Sequence, residues 1–180
     1  MQTLDQASKR VADLYWLAFL LTGDRGLSAD VTHEALVLPD DANPFFSAWM
    51  LAWSRRVFIA KALAAIRDEL AASAHRTASK RAEKGTLPTR SWTLNRDTTK
   101  GQLESALLAI DVFPRCALLL SVFEGLSLED VATLLDSERD LVRKAQMLGL
   151  RELTGNLARL QGWTSTASKP YLVNSEMQHA

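Results

Sequence analysis

Apolar residues recur along most of this chain at the spacing of an amphipathic α-helix, and the strict alternation that indicates a β-strand is nearly absent. Near the N-terminus, one apolar stripe contains Val11, Leu14, Ala18 and Leu21, and Gly23 follows where a left-handed helix cap would fall. Proline and glycine, which interrupt helices, are sparse, with 5 and 8 copies. The pattern predicts an all-α protein whose first helix ends near Gly23.

Start and stop signals predict the next two helices. Ser28 is a preferred N-cap residue, and Pro39 ends the helix that it would begin. Asn43 followed by Pro44 is a start signal, and nothing interrupts the pattern before about Ala72. One side of this long helix is predicted to be apolar and to consist of Phe46, Met50, Trp53, Val57, Ala60 and Ala64.

A polar, basic stretch without an apolar period separates the two halves of the chain. Residues 74–100 carry seven Lys and Arg against two Asp and Glu, whereas residues 1–73 carry seven against nine and residues 101–180 carry seven against ten. A compact domain rarely contains so long a loop without structure. The sequence therefore predicts two helical lobes (1–73 and 102–160), a basic linker (74–101) and a mobile tail (161–180).

The second lobe has the pattern of a helix–turn–helix. Ser127 is placed to cap the first of its two helices, and a short turn is predicted at Asp136 and Ser137. The inner faces are predicted to consist of Leu128, Val131, Ala132 and Leu135 on the first helix and Leu141, Val142, Ala145, Leu148 and Leu150 on the second.

The outward side of the second helix carries the candidate base-reading residues. They are Glu138, Arg139, Arg143, Lys144 and Gln146. Arg can bind guanine through two hydrogen bonds, and Gln can bind adenine in the same way. A DNA-binding helix–turn–helix is one interpretation and an ordinary helical hairpin within a bundle is the other, and periodicity alone favours neither.

Carboxylates in the same segment oppose DNA binding. They are Glu129, Asp130, Asp136, Glu138 and Asp140. Most of them fall at helix starts, where the helix dipole stabilises a negative charge. Helix starts are also where phosphates bind, so these carboxylates would compete with DNA. The sequence predicts weak, salt-sensitive duplex binding by this lobe alone.

The long third helix carries an aromatic residue beside cations. Trp49 and Arg56 are seven residues apart and share a face, which Arg55 and Lys61 flank. An aromatic ring next to cations is how single-stranded bases are held, by stacking and by phosphate pairing. The alternative is a half-buried Trp with solvated Arg tips, which is the commoner arrangement.

Features of an enzyme, a metal site or a membrane protein are weak. His33 and Glu34 are adjacent, but no second His follows at the spacing of a zinc helix, and no phosphate-binding Gly-rich loop occurs. Cys116 is the only cysteine, which excludes a disulfide framework and indicates a reducing compartment. No apolar run is long enough to cross a bilayer. The sequence predicts a cytoplasmic protein that is not an enzyme, needs no cofactor or metal and does not bind membranes.

Together these segments resemble an extracytoplasmic-function sigma factor of the sigma-70 family. LYWLAFLLTGDRGLSADVTHEAL (14–36) resembles the start of sigma region 2, and FSAWMLAWSRRVFIAKAL (46–63) resembles the Trp-containing helix of regions 2.3 and 2.4. FPRCALLL stands where region 4.1 is expected, and FEGLSLEDVATLLDSERDLVRKA (123–145) is similar to region 4.2. The resemblance covers residues 10–160, and FEGLSLEDVA and LTGDR are its most specific parts.

The resemblance implies a function. Such proteins bind core RNA polymerase and promoter DNA, with region 2 melting and reading the −10 element and region 4 reading the −35 element, and an anti-sigma factor is a further partner. By position, the polymerase clamp would be bound by Asp30, His33 and Glu34. Melted DNA would be bound by Trp49, Arg55, Arg56 and Lys61, and the −35 groove by Arg139, Arg143 and Lys144.

The chain departs from the family pattern in ways that leave other functions open. Asp136 stands in the turn where Gly is usual, Ala145 stands where an Arg is common, and the stretch between Glu34 and Trp49 is short. A second hypothesis is therefore a sigma-like decoy, which keeps the fold to bind an anti-sigma protein or another regulator with little DNA binding. A third is a DNA-binding regulator that uses only residues 102–160, which leaves the N-terminal resemblance unexplained.

Overall fold

The computed structural model describes residues 2–35, 44–80 and 98–161, with side chains described over 9–34, 53–80 and 98–161. The helices are α1 (Gln2–Thr22), α2 (Arg25–Ala35), α3 (Pro44–Ala65), α4 (Arg67–Ser79), α5 (Lys100–Leu108), α6 (Val112–Leu118), a π turn (Leu119–Phe123), α7 (Leu128–Leu134) and α8 (Arg139–Leu160). No strand occurs within these ranges, and the predicted all-α class is confirmed.

The boundary between α1 and α2 follows local backbone chemistry. Gly23 adopts a φ of +74° and ends α1, as predicted. The predicted start of α2 at Ser28 is wrong, because the helix begins at Arg25 and Ser28 is buried inside it. The N–H of Leu27 donates to Oδ1 of Asp24 at 2.8 Å, so Asp24 satisfies the first turn that Ser28 was expected to cap.

The predicted apolar side of α3 is not the inward side over the residues whose side chains are described, and Phe46 and Met50 lie outside those residues. Trp53 is 47% exposed, and Ala60 and Ala64 are exposed as well. Apolar residues occur on nearly every side of this helix, so its period does not select a face. Phe58, Ile59 and Leu63 are buried instead, and they remove more apolar area from water than Val57, Ala60 and Ala64 would in their place. The buried residues in the second half of α3 and at its junction with α4 are Phe58, Ile59, Ala62, Leu63 and Ile66.

The long helix predicted from the sequence is interrupted at Ile66. Its φ of −117° and ψ of 20° are not helical, and α4 begins at the next residue, Arg67. Asp68 and Glu69 occupy the first turn of α4, where the helix dipole stabilises their charge. The chain therefore forms two shorter helices at this point.

The predicted basic linker over residues 74–101 begins too early, because residues 74–79 belong to α4. Ser73 and Thr77 are buried on the inner side of this helix. Oγ of Ser73 accepts a hydrogen bond from the N–H of Phe113 at 2.9 Å, which satisfies a first-turn donor of α6. Ser73, just before the predicted linker, is thus a partner of another helix, and Thr77 within the predicted linker is buried.

The rest of the predicted linker, residues 81–97, and nearly all of the predicted tail, residues 162–180, lie outside the described residues. The described chain resumes just before α5. Thr99 caps this helix through a capping box: its Oγ1 accepts from the N–H of Gln102 at 3.2 Å, and the side chain of Gln102 accepts from the N–H of Thr99 at 3.0 Å.

An ion pair joins α4 to the start of α6. Nη2 of Arg76 lies 2.6 Å from Oδ1 of Asp111, and Nε lies 2.9 Å from Oδ2. The hydrogen bond from Arg76 lowers the pKa of Asp111 from 3.8 to about 2. Because the pKa of the folded state lies below that of the unfolded chain, the pair stabilises the fold above about pH 4, and this stabilisation is lost as the pH falls to about 2.

We expect Asp111→Asn to lower the melting temperature at neutral pH, because the neutral amide loses the charged hydrogen bonds to Arg76. The difference from wild type should shrink as the pH falls from about 4 towards 2, where Asp111 becomes protonated in the wild type too. Melting curves followed by circular dichroism at several pH values measure this difference. Asp30→Asn, at an exposed carboxylate of α2, is the matched control. A pH-independent difference would contradict the pairing of α4 with α6.

Helix α6 lies at the centre of the fold, and every residue from Val112 to Leu118 is buried. It packs against α1, α4 and α8. Arg115 donates from Nη1 to the carbonyl of Ile110 at 3.0 Å and from Nη2 to the carbonyl of Leu21 at 3.4 Å. Apolar side chains from both predicted lobes share one core, so the predicted division into two lobes is not confirmed.

Candidate nucleic-acid interface

Helices α7 and α8 form the predicted helix–turn–helix. Oγ of Ser127 accepts from the N–H of Asp130 at 3.1 Å and caps α7, as predicted. In the turn, Asp136 has a φ of +47°, and the N–H of Ser137 donates to the carbonyl of Ala132 at 2.9 Å. Asp tolerates this left-handed conformation better than most residues with a side chain. The turn therefore forms with Asp136, and not glycine, at its left-handed position.

The inner faces of the two helices meet as the sequence predicts. Val131 and Val142 are both 0% exposed, and Leu135 and Ala145 are buried beside them. The helical phases predicted for α7 and α8 are confirmed by this burial. The same phases leave Glu138, Arg139 and Arg143 exposed. Lys144 and Gln146 are half-buried, and Nε2 of Gln146 donates to Oγ of Ser121 at 3.0 Å, so Gln146 is not directed outward as predicted.

Only part of the outward side of α8 is available for contact with DNA. Nε of Arg139 lies 3.1 Å from Oε1 of Glu129, and Nζ of Lys144 donates to the carbonyl of Ala78 in α4 at 2.9 Å. Arg143 is exposed, and it pairs with no carboxylate among the described residues. Of the three predicted −35 contacts, Arg143 is the one that a DNA groove could reach without displacing a partner.

The predicted −10 cations of α3 lie against the C-terminal half of the chain. Nε of Arg55 is 2.5 Å from Oε2 of Glu124, and Nη2 is 2.7 Å from Oε1, so the pair is bidentate. This hydrogen bonding raises the pKa of Arg55. Nη2 of the neighbouring Arg56 lies 3.7 Å from Oδ2 of Asp130. The aromatic residue predicted beside these cations, Trp49, belongs to α3, but its side chain lies outside the described residues.

The fourth residue predicted to bind melted DNA is next to the residues predicted to bind polymerase. Nζ of Lys61 donates to Oε2 of Glu34 at 2.7 Å, and this hydrogen bond lowers the pKa of Glu34. Asp30, His33 and Glu34 are all exposed and share one side of α2, since they are spaced three and four residues apart. The three predicted polymerase contacts therefore form one accessible surface, and Lys61 lies at its edge.

Glu124 is the functional candidate that the sequence reading did not select. It follows the π turn, and its N–H donates to the carbonyl of Leu119, five residues earlier, at 2.9 Å. Gly125 then turns the chain with a φ of +68°. The signal for Glu124 was its position: an acid at the C-terminal end of a helix opposes the dipole and needs a cation nearby.

Other kinds of functional site find little support in the described part of the chain. No group of three or more His, Cys, Asp or Glu side chains there could hold a metal ion. None of the helices is both long and apolar enough to span a membrane, among the residues described. Cys116 is fully buried, and burial raises the pKa of its thiol to about 12, so it stays protonated at neutral pH.

Comparison with known proteins finds no family model, no curated protein and no solved structure that matches this chain. Its function is therefore inferred from the residues and contacts of the interface itself.

Proposed function

We propose that this protein is a divergent sigma factor of the extracytoplasmic-function group, which acts in the cytoplasm by binding core RNA polymerase and promoter DNA. The observation that carries the proposal is the helix–turn–helix of α7 and α8, with Val131 and Val142 fully buried and a positive-φ residue in the turn. Exposed Arg143 on the outer side of α8 supports groove binding. The order of the sigma-like segments, with α3 before the helix–turn–helix, supports the same proposal.

In this proposal the shared core represents a closed form of the free protein. A sigma factor reads two promoter elements with its two regions, so the halves would separate into two lobes on polymerase. Arg55 and Arg56, which now pair with Glu124 and Asp130, would then face melted DNA. The role of the protein is to position DNA, and it requires no catalytic residue.

The second candidate is a sigma-like decoy that binds an anti-sigma factor or another regulator. The observation that favours it is the pairing of the candidate DNA-binding cations with the chain's own carboxylates. The ion pairs are Arg55–Glu124, Arg56–Asp130, Lys61–Glu34 and Arg139–Glu129. A decoy needs no opening, because its fold alone would be recognised.

Binding of core RNA polymerase separates the two candidates. We expect purified wild-type protein to be retained on immobilised bacterial core polymerase, and Asp30→Lys with Glu34→Lys to abolish retention. These carboxylates are exposed on one side of α2 and can pair with Arg on a partner. Reversing both charges leaves the buried side of α2 unchanged, so helical content measured by circular dichroism should be unaffected.

The matched control is Glu138→Lys with Asp140→Lys, which changes the same amount of charge at exposed positions of the other half. It should be retained like the wild type. No retention of the wild type would leave the decoy as the better candidate. Equal retention of the wild type and of the α2 variant would remove the assignment of this surface to polymerase.

A further inference from the structure

The contact between α3 and the turn before α7 places carboxylates on the two cations that would hold single-stranded DNA. We propose that this contact, made by Arg55, Arg56, Glu124 and Asp130 and called the masking contact below, lets the chain's own carboxylates replace phosphates and so excludes nucleic acid from α3. The inference rests on the proposed function, since it describes how the same cations are regulated. It applies to any polyanionic strand, whatever its base sequence.

The geometry at Arg55 is that of phosphate recognition. Both oxygens of Glu124 accept from the Arg55 guanidinium, at 2.5 and 2.7 Å, in the forked arrangement that Arg also forms with phosphate oxygens. Glu124 is 12% exposed, so this bonding largely shields its carboxylate from water. A strand could not bind the same side of Arg55 while Glu124 remains in place.

The two carboxylates lie on neighbouring segments, Glu124 after the π turn and Asp130 in the first turn of α7. The π turn directly precedes Glu124, whose N–H donates to the carbonyl of Leu119 at 2.9 Å, and π turns are frequent at functional sites. Asp130 is held by Oγ of Ser127, 3.0 Å from its Oδ2. The helix dipole accounts for Asp130 at the start of α7, but it disfavours Glu124 at the end of a helix. Pairing with Arg55 is the interaction that accounts for Glu124.

The masking contact is accessible to a competing anion from its cation side. Its cations remain 42% and 58% exposed, and the Arg56–Asp130 pair, about half exposed on both sides, contributes little to stability. Beside it, a groove of about 750 Å³ separates α3 and α4 from α7 and α8, with Ala60 and Ala64 on one wall and Leu134 and Leu141 on the other. A polyanion that releases counterions on binding can therefore compete with these two carboxylates.

The test compares binding of a short labelled single-stranded oligonucleotide by fluorescence anisotropy, at low and at physiological salt. We expect Glu124→Gln with Asp130→Asn to bind about five- to tenfold more tightly than wild type, because the binding-competent form is no longer a minor one. Asp68→Asn with Glu69→Gln removes the same charge from exposed positions of α4, outside the contact and the helix–turn–helix, and it should tighten binding by less than about twofold. Adding Arg55→Ala and Arg56→Ala to the first variant should abolish the gain.

Equal gains in the two carboxylate variants, or no gain in the first, would overturn the inference. Glu124→Gln alone keeps the bond between Ser127 and Asp130, so it should show a smaller gain in the same direction, and its absence in a folded protein would also overturn it. Polymerase retention is measured separately on the wild type. Retention without a gain in strand binding refutes the masking contact alone, whereas a gain without retention refutes the sigma-factor function and leaves the masked strand-binding site.

Discussion

Val131→Asp should lower the free energy of unfolding of the full chain by about 4 kcal/mol. Val131 is 0% exposed and packs between α7 and α8, so the substitution removes a buried apolar side chain and places a carboxyl group where water cannot reach it. Val131 belongs to the same apolar core as Val142, so the carboxyl group is placed among apolar side chains. Urea unfolding followed by far-ultraviolet circular dichroism measures the change.

The matched control is Thr133→Asp, at an exposed position of the same helix. It introduces the same group without burying it, and it should cost less than about 1 kcal/mol. If Val131→Asp were no more destabilising than Thr133→Asp, the inner face assigned to α7 would be wrong. The helix–turn–helix that carries the proposed function would then be lost with it.

Gly149→Ala should destabilise the protein by about 2–3 kcal/mol, although alanine is the better helix former. A Cβ at Gly149 would lie 2.6 Å from the carbonyl oxygen of Pro114 and 3.2 Å from Cβ of Leu118. The closer neighbour is backbone and cannot rotate away, so α8 would have to move off α6. Since α6 is the buried centre of the fold, that movement disturbs the packing of the helices around it.

Gly155→Ala, on the same helix, is expected to stabilise the protein and serves as the control. A Cβ there meets nothing within 4 Å, so the substitution should stabilise the protein by up to about 1 kcal/mol through helix propensity alone. Thermal melting of the two variants beside wild type measures both effects. If Gly149→Ala also raised the melting temperature, the close approach of α6 and α8 would be refuted.

The sequence by itself determined the features that depend on neighbouring residues. The helical period predicted the all-α class, and Gly23 and Ser127 marked a helix end and a helix start. Val131 and Val142 were identified as core positions of the helix–turn–helix. Caps, turns and amphipathic faces are local, because they satisfy backbone groups and bury side chains within a few residues of one another.

Local patterns failed where more than one face of a helix could be buried, or where burial depended on a partner distant in sequence. The inward face of α3 could not be chosen by period, since the helix is apolar on nearly every side, and Trp53 of the predicted apolar side is exposed. Thr77 lay in the predicted linker, but it is buried on α4, which packs against α6 and α8, and no pattern within the segment encodes that packing. The sequence does not show that position 149 requires glycine, because the requirement comes from the close approach of the backbone at Pro114.

The candidate site divides in the same way. Its cations, Arg55 and Arg56, were selected from the sequence because residues adjacent on a helix can be located from the chain alone. Their state was decided by tertiary structure, since Glu124 lies 69 residues from Arg55 along the chain and reaches it only because the core around α6 brings the two halves together. Charge pairing over such a separation depends on which faces pack, and no local pattern encodes that choice.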